Sequence, residues 1–214
     1  MERHWRTFVF LAVDSSLGTT VAIVTDDGRV LSETQSLDIR GHAENIGVLL
    51  ASALESAGIG ASEVTQVVMG IGPGPFTGLR VGMASAIAFA HSRSLPVLPV
   101  ISHDALGWFA PDDVVVTSDA RRGELAYSVY WGRQGMRRVV GPTLCRPEDL
   151  DEALGEYARL DRLEATIIPA AGLAQVARAF LEHSLAFPEP RPQYLRAPDV
   201  TVSEKSLPHK PVLP

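Results

Sequence analysis

The order of strand and helix patterns is the feature that most restricts how this chain folds. In each half, an apolar strand is followed by a turn, a second strand and then a helix. The first half opens with an apolar run at residues 8–13, which Asp14 ends, and a hairpin pattern follows at 19–35 around the turn Asp27-Gly28. Strands followed by helices predict an α/β fold with mixed sheets.

Helices are predicted where apolar residues recur at spacings of three and four. The two long helices are predicted at 42–57, with Gly58 as its stop, and at 77–94. Further helices are predicted at 102–109, 147–159 and 173–183, and further strands at 64–71, 96–101, 114–119, 125–131 and 166–169. The segment 132–142 is rich in turn residues, and prolines from Pro188 onward predict an extended end.

Composition excludes several classes of protein. The 214 residues allow one large domain or two small lobes, and the net charge of −6 argues against a surface that binds nucleic acid throughout. The apolar run near the N-terminus is too short for a signal peptide or a membrane span, so we expect a cytoplasmic protein. The single cysteine, Cys145, excludes a disulfide within the chain and a cysteine-based zinc cluster.

Asp14, Ser15 and Ser16 follow the first strand directly. A carboxylate with hydroxyls and backbone N–H groups at such a turn can hold a metal-bound phosphate. The same residues are also typical of a hairpin turn closed by side-chain hydrogen bonds. The motif alone favours the turn.

A glycine-rich loop, Gly70-Ile-Gly-Pro-Gly-Pro-Phe-Thr-Gly-Leu-Arg80, lies between a predicted strand and the second long helix. The helix N-terminus favours an anion, and Thr77 is placed to cap it. However, no Gly-Lys-Ser/Thr follows, and two prolines remove N–H groups that a phosphate would need. Anion binding and a rigid turn that seats the helix therefore stay equally favoured.

The second long helix carries small residues at every fourth position, namely Gly78, Gly82, Ala86 and Ala90. Such a stripe lets another backbone approach closely. Packing on the chain's own sheet is the simpler explanation. The helix at 42–57 is also apolar around much of its circumference, which suggests a second contact, including one with another chain.

The histidines and arginines give weaker signals. His42, His91, His103 and His183 form no i, i+4 pair of the kind that holds a metal on a helix. Six arginines between 121 and 146 face a single acidic residue there, Glu124. They suggest either a local anion or RNA contact or a solvated surface. The arginines concerned are Arg121, Arg122, Arg133, Arg137, Arg138 and Arg146.

Several of these motifs, in order over about residues 8–200, resemble the TsaB (YeaZ) family. The most specific is Gly72-Pro-Gly-Pro-Phe-Thr-Gly-Leu-Arg-Val-Gly82, which resembles the family's signature loop. The supporting matches are Leu11-Ala-Val-Asp-Ser-Ser16, His42-Ala-Glu-Asn45, Leu95-Pro96, Asp119-Ala-Arg-Arg-Gly-Glu124 and Gln193-Tyr-Leu-Arg196.

The resemblance implies an actin-like, ribonuclease H-like fold of two lobes, with the second lobe reduced. The first lobe would span 8–109 and the second 110–200, with an extension at 1–7 and a loose tail at 201–214. The family's role is in forming N6-threonylcarbamoyladenosine next to the anticodon of tRNA, where a TsaD-type paralogue carries the chemistry. TsaB is its noncatalytic partner, and a TsaE-type ATPase joins the assembly.

The resemblance also assigns residues. Asp14, Ser15 and Ser16 correspond to a vestigial phosphate loop, and no catalytic residue is expected. The signature loop is represented by Gly72, Pro73, Gly74, Phe76, Thr77, Gly78 and Arg80. The partner interface is expected on the two long helices, at His42, Ile46, Leu49, Leu50, Gly78, Gly82, Ala86 and Ala90.

Cofactors are expected on the partners rather than on this chain. The paralogue's metal motif, His-x-Glu-x-His, corresponds here to His103-Asp-Ala-Leu-Gly107, which keeps only the first histidine. We therefore expect no metal and no tightly bound cofactor on the isolated chain, with ATP and metal on its partners. An exposed pair of apolar helices would favour a homodimer when the partner is missing. Contact with tRNA would be indirect or local.

Two alternatives remain open from the sequence. An ATP-dependent phosphotransferase of the same fold would use Asp14 and Asp119, which each end a predicted strand. A metallopeptidase of the M22 type, to which the glycoprotease label of relatives points, is weaker because no cluster of ligands is present.

Overall fold

The structure is a computed structural model that describes residues 8–38, 41–132 and 137–196. The predicted extension at 1–7, the tail at 201–214 and Arg133 lie outside these residues. Within them, two mixed sheets form the framework, as the alternation of strands and helices predicts. No helix in the described part is both long and apolar enough to cross a membrane.

The first sheet has the strand order β3-β2-β1-β4-β5. The first three strands pair antiparallel, whereas β4 is parallel to β1 and β5 is parallel to β4. This confirms the predicted hairpin and the mixed pairing. The strands are β1 Val9–Asp14, β2 Thr19–Thr25, β3 Val30–Ser36, β4 Gln66–Gly70 and β5 Val97–Val100.

Helices cover both faces of this sheet. Two long helices, α1 His42–Ala57 and α2 Phe76–Ser92, pack on the face that carries Leu11 and Val13. The opposite face, with Phe10 and Ala12, packs against α5 Ala170–Glu182. The period-two alternation along β1 is what turns its neighbouring residues to opposite faces. Gly58 ends α1 in the left-handed conformation, as predicted.

The second sheet repeats the same topology with one strand fewer. Its order is β8-β7-β6-β9, with antiparallel pairing through β6, β7 and β8 and with β9 parallel to β6. Its strands are β6 Val114–Asp119, β7 Leu125–Trp131, β8 Arg137–Cys145 and β9 Asp161–Ala165. The short α3 Asp104–Gly107 leads into this sheet from the first one.

Three predictions for the second half were wrong. The turn-rich segment 132–142 contains most of β8, an edge strand that tolerates Pro142. The predicted helix at 147–159 is broken into 3-10 turns at Pro147–Asp149 and Gly155–Arg159 around α4 Leu150–Leu154, because Gly155 leaves the helical conformation. The strand predicted at 166–169 lies instead at Asp161–Ala165, as β9. Its residues are mostly polar and exposed at the edge of the sheet, so the pattern of apolar residues does not indicate a strand there.

Smaller differences concern the ends of helices. The helix predicted at 102–109 is the single turn α3, and the one predicted at 173–183 begins three residues earlier as α5. In the first half, a 3-10 turn at Ala61–Glu63 precedes β4. Although α5 lies in the stretch assigned to the second lobe, it packs on β1 and β2 of the first sheet. The core is therefore shared between the two sheets.

Candidate functional site

The turn between β1 and β2 holds the predicted phosphate loop. Both oxygens of its carboxylate, that of Asp14, accept hydrogen bonds from within the chain. Asp14 is only 2% exposed. Its Oδ1 accepts hydrogen bonds from the backbone N–H of Ser16 at 2.7 Å and from the Ser16 hydroxyl, and its Oδ2 accepts one from the Ser102 hydroxyl at 2.5 Å. Burial raises the pKa of Asp14, although the bonds from Ser102 and Ser16 act in the opposite direction.

Glycines let neighbouring backbone close over this turn. A Cβ at Gly70 would lie 2.0 Å from Asp14 Oδ2, one at Gly74 would lie 2.6 Å from Ser16 Cβ, and one at Gly82 would lie 2.2 Å from Ser15 Oγ. These glycines come from β4, the signature loop and α2. The space that a phosphate would take at this turn is thus filled by the chain itself.

Ser15 joins the turn to the second long helix. Its hydroxyl donates to the carbonyl of Gly78 at 2.7 Å and accepts from the N–H of Gly82 at 3.0 Å. A Cβ at Gly78 would come within 2.6 Å of His42 Nε2. The stripe of small residues on α2 therefore seats this helix on its own chain, which was the simpler of the two explanations.

The signature loop is held as a rigid turn. The N–H of Gly72 donates to the Ser102 hydroxyl at 3.0 Å, and Pro73 and Pro75 have no N–H to offer. Pro75 occupies the N-cap position of α2 without a side-chain hydrogen bond, so the predicted cap at Thr77 is wrong and Thr77 lies exposed in the first turn. These contacts favour the structural explanation of the loop over anion binding at the helix end.

The exposed end of the signature loop carries an aromatic cluster. Phe76 stacks on Tyr194 with ring centroids 4.6 Å apart, and the Arg80 guanidinium lies 3.7 Å from the centre of the Phe76 ring. Arg80 Nε also donates to the Tyr194 hydroxyl at 2.5 Å. The late segment of the chain is thereby fixed to the loop, a contact that the order of motifs did not predict.

Three consecutive residues after β5 connect the two sheets. Ser102 bonds to Asp14 in the first sheet's turn, whereas the ring of His103 lies between the hydroxyls of Ser128, 3.0 Å from Nδ1, and Ser118, 2.8 Å from Nε2. Burial, together with the nearby charge of Arg138, lowers the pKa of His103 to about 3. Both ring nitrogens are engaged, so this histidine has no free nitrogen for a metal.

Asp104 completes the connection. Its Oδ1 accepts a hydrogen bond from the Tyr130 hydroxyl at 2.7 Å and lies 3.7 Å from Arg138 Nε. Burial raises the pKa of Asp104 to about 6, against the lowering by Arg138 and Tyr130. The sequence analysis missed this network, although three polar residues directly after a buried strand are a signal that finds it.

Among the described residues, no group of three His, Cys, Asp or Glu side chains is placed to hold a metal ion. His42 is engaged as well, because its Nδ1 lies 2.7 Å from the Thr19 hydroxyl, and burial lowers its pKa. Cys145 is half-buried in β8, and burial raises the pKa of its thiol, which disfavours the reactive thiolate.

The residues predicted for the partner interface divide into two groups. Leu49 and Leu50 are partly exposed, but the other six are buried within this chain. The buried members are His42, Ile46, Gly78, Gly82, Ala86 and Ala90. The outward faces of the same helices are formed by different residues, with Val48 of α1 66% exposed and Ile87 of α2 45% exposed.

The predicted basic cluster is not one patch. Arg121, Arg122 and Arg146 lie where β7 begins, because Leu125 pairs with Cys145. Arg137 and Arg138 pair with the last residues of β7, Trp131 and Tyr130. Since β7 has 7 residues, at about 3.4 Å per residue its ends lie about 20 Å apart.

A cavity of about 420 Å³ opens beside the first of these arginine groups. One wall is the signature loop from Pro73 to Phe76, another is the turn between β6 and β7, and the third is the segment 194–196. Asp14, Ser15 and Ser16 do not line it. The open space between the two sheets is therefore at the second turn and not at the predicted phosphate loop.

Known proteins of two kinds resemble this chain in sequence. Residues 29–203 match the family TsaD, described as tRNA N6-adenosine threonylcarbamoyltransferase. An uncharacterized protein of Mycobacterium tuberculosis is 43% identical over 145 residues, which cover 66% of each chain. A tRNA N6-adenosine threonylcarbamoyltransferase of Streptococcus mutans is 32% identical over 179 residues, covering 75% of this chain and 52% of that protein.

The chain covers only part of some relatives. It spans about half of the streptococcal transferase, and an uncharacterized protein of Mycobacterium leprae, 41% identical over 149 residues, is matched over 67% of this chain and 40% of its own length.

A solved structure matches over its entire length. YeaZ from Pseudomonas aeruginosa superposes with a TM-score of 0.71 at 23% identity, covering 88% of this chain and 100% of that chain. A second structure, described as an uncharacterized protein with similarity to peptidase YeaZ from the same organism, gives the same TM-score and coverage at 25% identity. The two-lobed actin-like fold and the resemblance to TsaB are thereby confirmed, and the family match shows that the chain belongs to the TsaD family.

Proposed function

We propose that this chain is a noncatalytic partner subunit in tRNA modification. It pairs with a TsaD-type transferase that forms N6-threonylcarbamoyladenosine next to the anticodon. The match to the TsaD family supports the reaction, and the full-length match to YeaZ supports the partner role. This proposed role implies a cytoplasmic location.

The packing of the Asp14 turn supports the absence of an independent phosphotransferase activity. A kinase of this fold needs a carboxylate and backbone N–H groups that are free to meet a metal-bound phosphate. Here Asp14 is buried under Gly70, and both of its oxygens accept hydrogen bonds from Ser16 and Ser102. Releasing the carboxylate would break those bonds in the core.

The exposed face of α1 and α2 is the observation that carries the pairing. Both helices lie on one face of the first sheet and contact each other. Their exposed residues include a small or apolar set, beside the charged residues Glu44, Glu55 and Arg80. The set consists of Ala43, Gly47, Val48, Ala51, Ala84, Ile87 and Ala88. Exposed apolar side chains such as Val48 and Ile87 on two adjacent helices are typical of a protein–protein contact. Because small side chains allow close approach of helices, a pair of helices from a related fold fits this surface.

Pairing is tested by co-elution of the purified chain with the TsaD-type protein of the same cell. The double variant Val48→Glu/Ile87→Glu places two charges in the contact and should weaken pairing by at least about tenfold. Leu163→Glu is the matched control, because Leu163 is 39% exposed in β9, the edge strand of the second sheet. The proposal is contradicted if the double variant still pairs as tightly as the wild type. It is also contradicted if the wild-type chain fails to co-elute both in the presence and in the absence of nucleotide.

The same face explains the other assembly states that we propose. A chain without its partner would cover this surface with a second copy, and the TsaE-type ATPase would join the completed pair, which brings ATP and metal to the assembly. Sedimentation of the isolated chain tests the first point, because Val48→Glu/Ile87→Glu should convert a dimer to a monomer. A dimer that persists in this variant uses another surface.

A further inference from the structure

A second cavity lies at the other end of β7, away from the signature loop. Its volume is about 310 Å³, at the lower end of the range for small-molecule sites, which is about 300–1,000 Å³. It forms where the end of α5 and the residues after it meet α3 and the start of β8. None of the described residues that line it belongs to α1, to α2 or to the turns after β1 and β6. The proposed pairing therefore does not account for it.

Aromatic rings form one wall of this cavity. Phe180 of α5 contacts two other rings, with its centroid 4.9 Å from that of Trp108 and 5.3 Å from that of Phe187. Both pairs are tilted, as is common for neighbouring aromatic side chains. Phe180 is buried, whereas Trp108 and Phe187 are only partly buried. The wall therefore offers ring surface to a flat apolar group.

Two arginines at the start of β8 also line the cavity. Arg137 is exposed, and its guanidinium lies 4.7 Å from the centre of the Trp131 ring. Within the described part of the chain, no carboxylate forms an ion pair with it. Because an aromatic ring does not take up N–H donors as a carboxylate does, this guanidinium keeps donors for a ligand.

Arg138 has a charged neighbour that does not satisfy it. Its Nε lies 3.7 Å from Asp104 Oδ1, which is too long for a hydrogen bond, and that oxygen accepts from the Tyr130 hydroxyl at 2.7 Å. Arg138 Nη1 is buried and has no hydrogen-bond partner among the residues that the structure describes. A buried charged donor without an acceptor is unfavourable. The side chain is 24% exposed where it lines the cavity, so an acceptor can reach the guanidinium from that side.

The charges at the cavity indicate the charge of the ligand. Arg137 and Arg138 are positive, and Asp104 is the one acidic residue among the described residues that line it. The pKa of Asp104 is raised to about 6, so its carboxyl is mostly ionised at neutral pH. The remaining single positive charge matches a carboxylate. A phosphate monoester carries nearly two negative charges at neutral pH and would leave one of them unbalanced.

We propose that this cavity binds a small aromatic carboxylate. The carboxylate accepts hydrogen bonds from Arg137 and Arg138, and the ring lies against Trp108 and Phe187. Arginine suits this group because its planar guanidinium can donate two parallel hydrogen bonds to the two carboxylate oxygens. The site does not depend on pairing with the transferase, since α5 packs on the face of the first sheet opposite to α1 and α2.

Equilibrium dialysis of the full chain against labelled phenylacetate at neutral pH tests the site. Phenylacetamide has the same ring without the charge, acetate has the charge without the ring, and phenyl phosphate carries a second charge. We expect phenylacetate to bind at least about tenfold more tightly than phenylacetamide or acetate, because the charged hydrogen bonds and the buried ring are each worth that factor. Equal binding of phenylacetate and phenylacetamide, no retention of phenylacetate, or tighter binding of phenyl phosphate would overturn the proposal.

Variants of the two walls locate the ligand. Arg137→Gln should weaken phenylacetate binding about tenfold. Arg178→Gln is the matched control and should leave binding unchanged, because Arg178 lies on α5 outside the cavity and pairs with Glu182. Ala186→Trp places a large side chain in the cavity without changing its charge and should abolish binding. Circular dichroism shows whether each variant folds. If Ala186→Trp does not, Phe187→Leu replaces it and should weaken binding by removing a ring from the wall.

Two results would contradict the location. Phenylacetate binding that withstands both Arg137→Gln and Ala186→Trp places the ligand elsewhere. Equal losses in Arg137→Gln and Arg178→Gln would show a general effect of charge instead of a contact in the cavity. The Val48→Glu/Ile87→Glu variant should lose pairing and still bind phenylacetate, so the two proposals fail separately.

Discussion

The two sheets place equivalent turns at equivalent positions, and the turns have opposite environments. Asp14 ends β1 and Asp119 ends β6, and in each turn the Oδ1 of the aspartate accepts the N–H two residues later at 2.7 Å. A glycine with positive φ, Gly18 or Gly123, stands four residues after each aspartate. Yet Asp14 is 2% exposed, whereas the side chain of Asp119 is 59% exposed.

The difference comes from what packs on each turn. The first turn lies under α2 and the signature loop, whose glycines allow contact with Ser15 and Ser16. The second sheet has four strands, and within the described residues its outer face is covered by the short α4 and its neighbours. The second turn is therefore left at the edge of a cavity, with Arg121 where the first has Ser16 and Arg122 where it has Leu17.

The substitution with the largest expected effect on stability tests how tightly the first turn is packed. Gly82→Val should lower the free energy of unfolding by about 3 kcal/mol or more, because the new side chain would collide with Ser15. Ala84→Val, on the exposed face of the same helix, should cost less than about 1 kcal/mol. Urea denaturation measures both, and equal losses would show that α2 does not rest on this turn.

The aspartates themselves give the next comparison. Asp14→Ala should lower the free energy of unfolding by about 2–3 kcal/mol, because it leaves buried donors of Ser16 and Ser102 without an acceptor. Asp119→Ala removes an exposed ion pair and should cost less than about 1 kcal/mol. A similar cost at both positions, measured by thermal or urea unfolding, contradicts the contrast between the turns.

His103 and Asp104, which connect the two sheets, are expected to change the stability of the protein with pH in opposite directions. The pKa of Asp104 is raised from 3.8 to about 6, so the folded state binds more protons and its contribution to stability falls as pH rises through that interval. The pKa of His103 is lowered from 6.5 to about 3, so its contribution rises with pH over that interval.

Single variants separate these contributions. Between about pH 4 and 6, Asp104→Asn should gain stability relative to wild type as pH rises, and His103→Asn should lose it, each by up to about 1.4 kcal/mol per pH unit. Urea unfolding across this range measures the slopes. Parallel curves for wild type and either variant would show that the residue does not titrate differently in the folded state.

The smallest effect concerns the backbone of the second turn. Arg121→Gly removes a residue from the left-handed conformation and should raise the free energy of unfolding by about 0.5–1 kcal/mol. Gly123→Ala, at φ 73° with open space around it, should destabilise by a similar amount. A less stable Arg121→Gly would mean that its contacts outweigh the strain.

Much of the first half was predictable from the sequence. The alternation along β1, the Asp-Gly turn and the helical periodicity at 42–57 are local signals, and the structure follows them closely. In the second half, β9 is a polar edge strand and β8 contains Gly141 and Pro142. Their pairing with β6 and β7 decides their conformation, and that pairing is not local.

The candidate site shows the same division. The glycine-rich loop and the two Asp turns were visible as motifs, and the sequence by itself determined the fold class through the repeated order of strands and helices. Only the tertiary structure decided that Ser102 and Gly70 close on Asp14, that Arg137 and Arg138 lie apart from Arg121, Arg122 and Arg146, and that the open cavity lies at the second turn. Burial depends on contacts between distant segments, so residue type and spacing alone do not reveal which of two similar turns is covered.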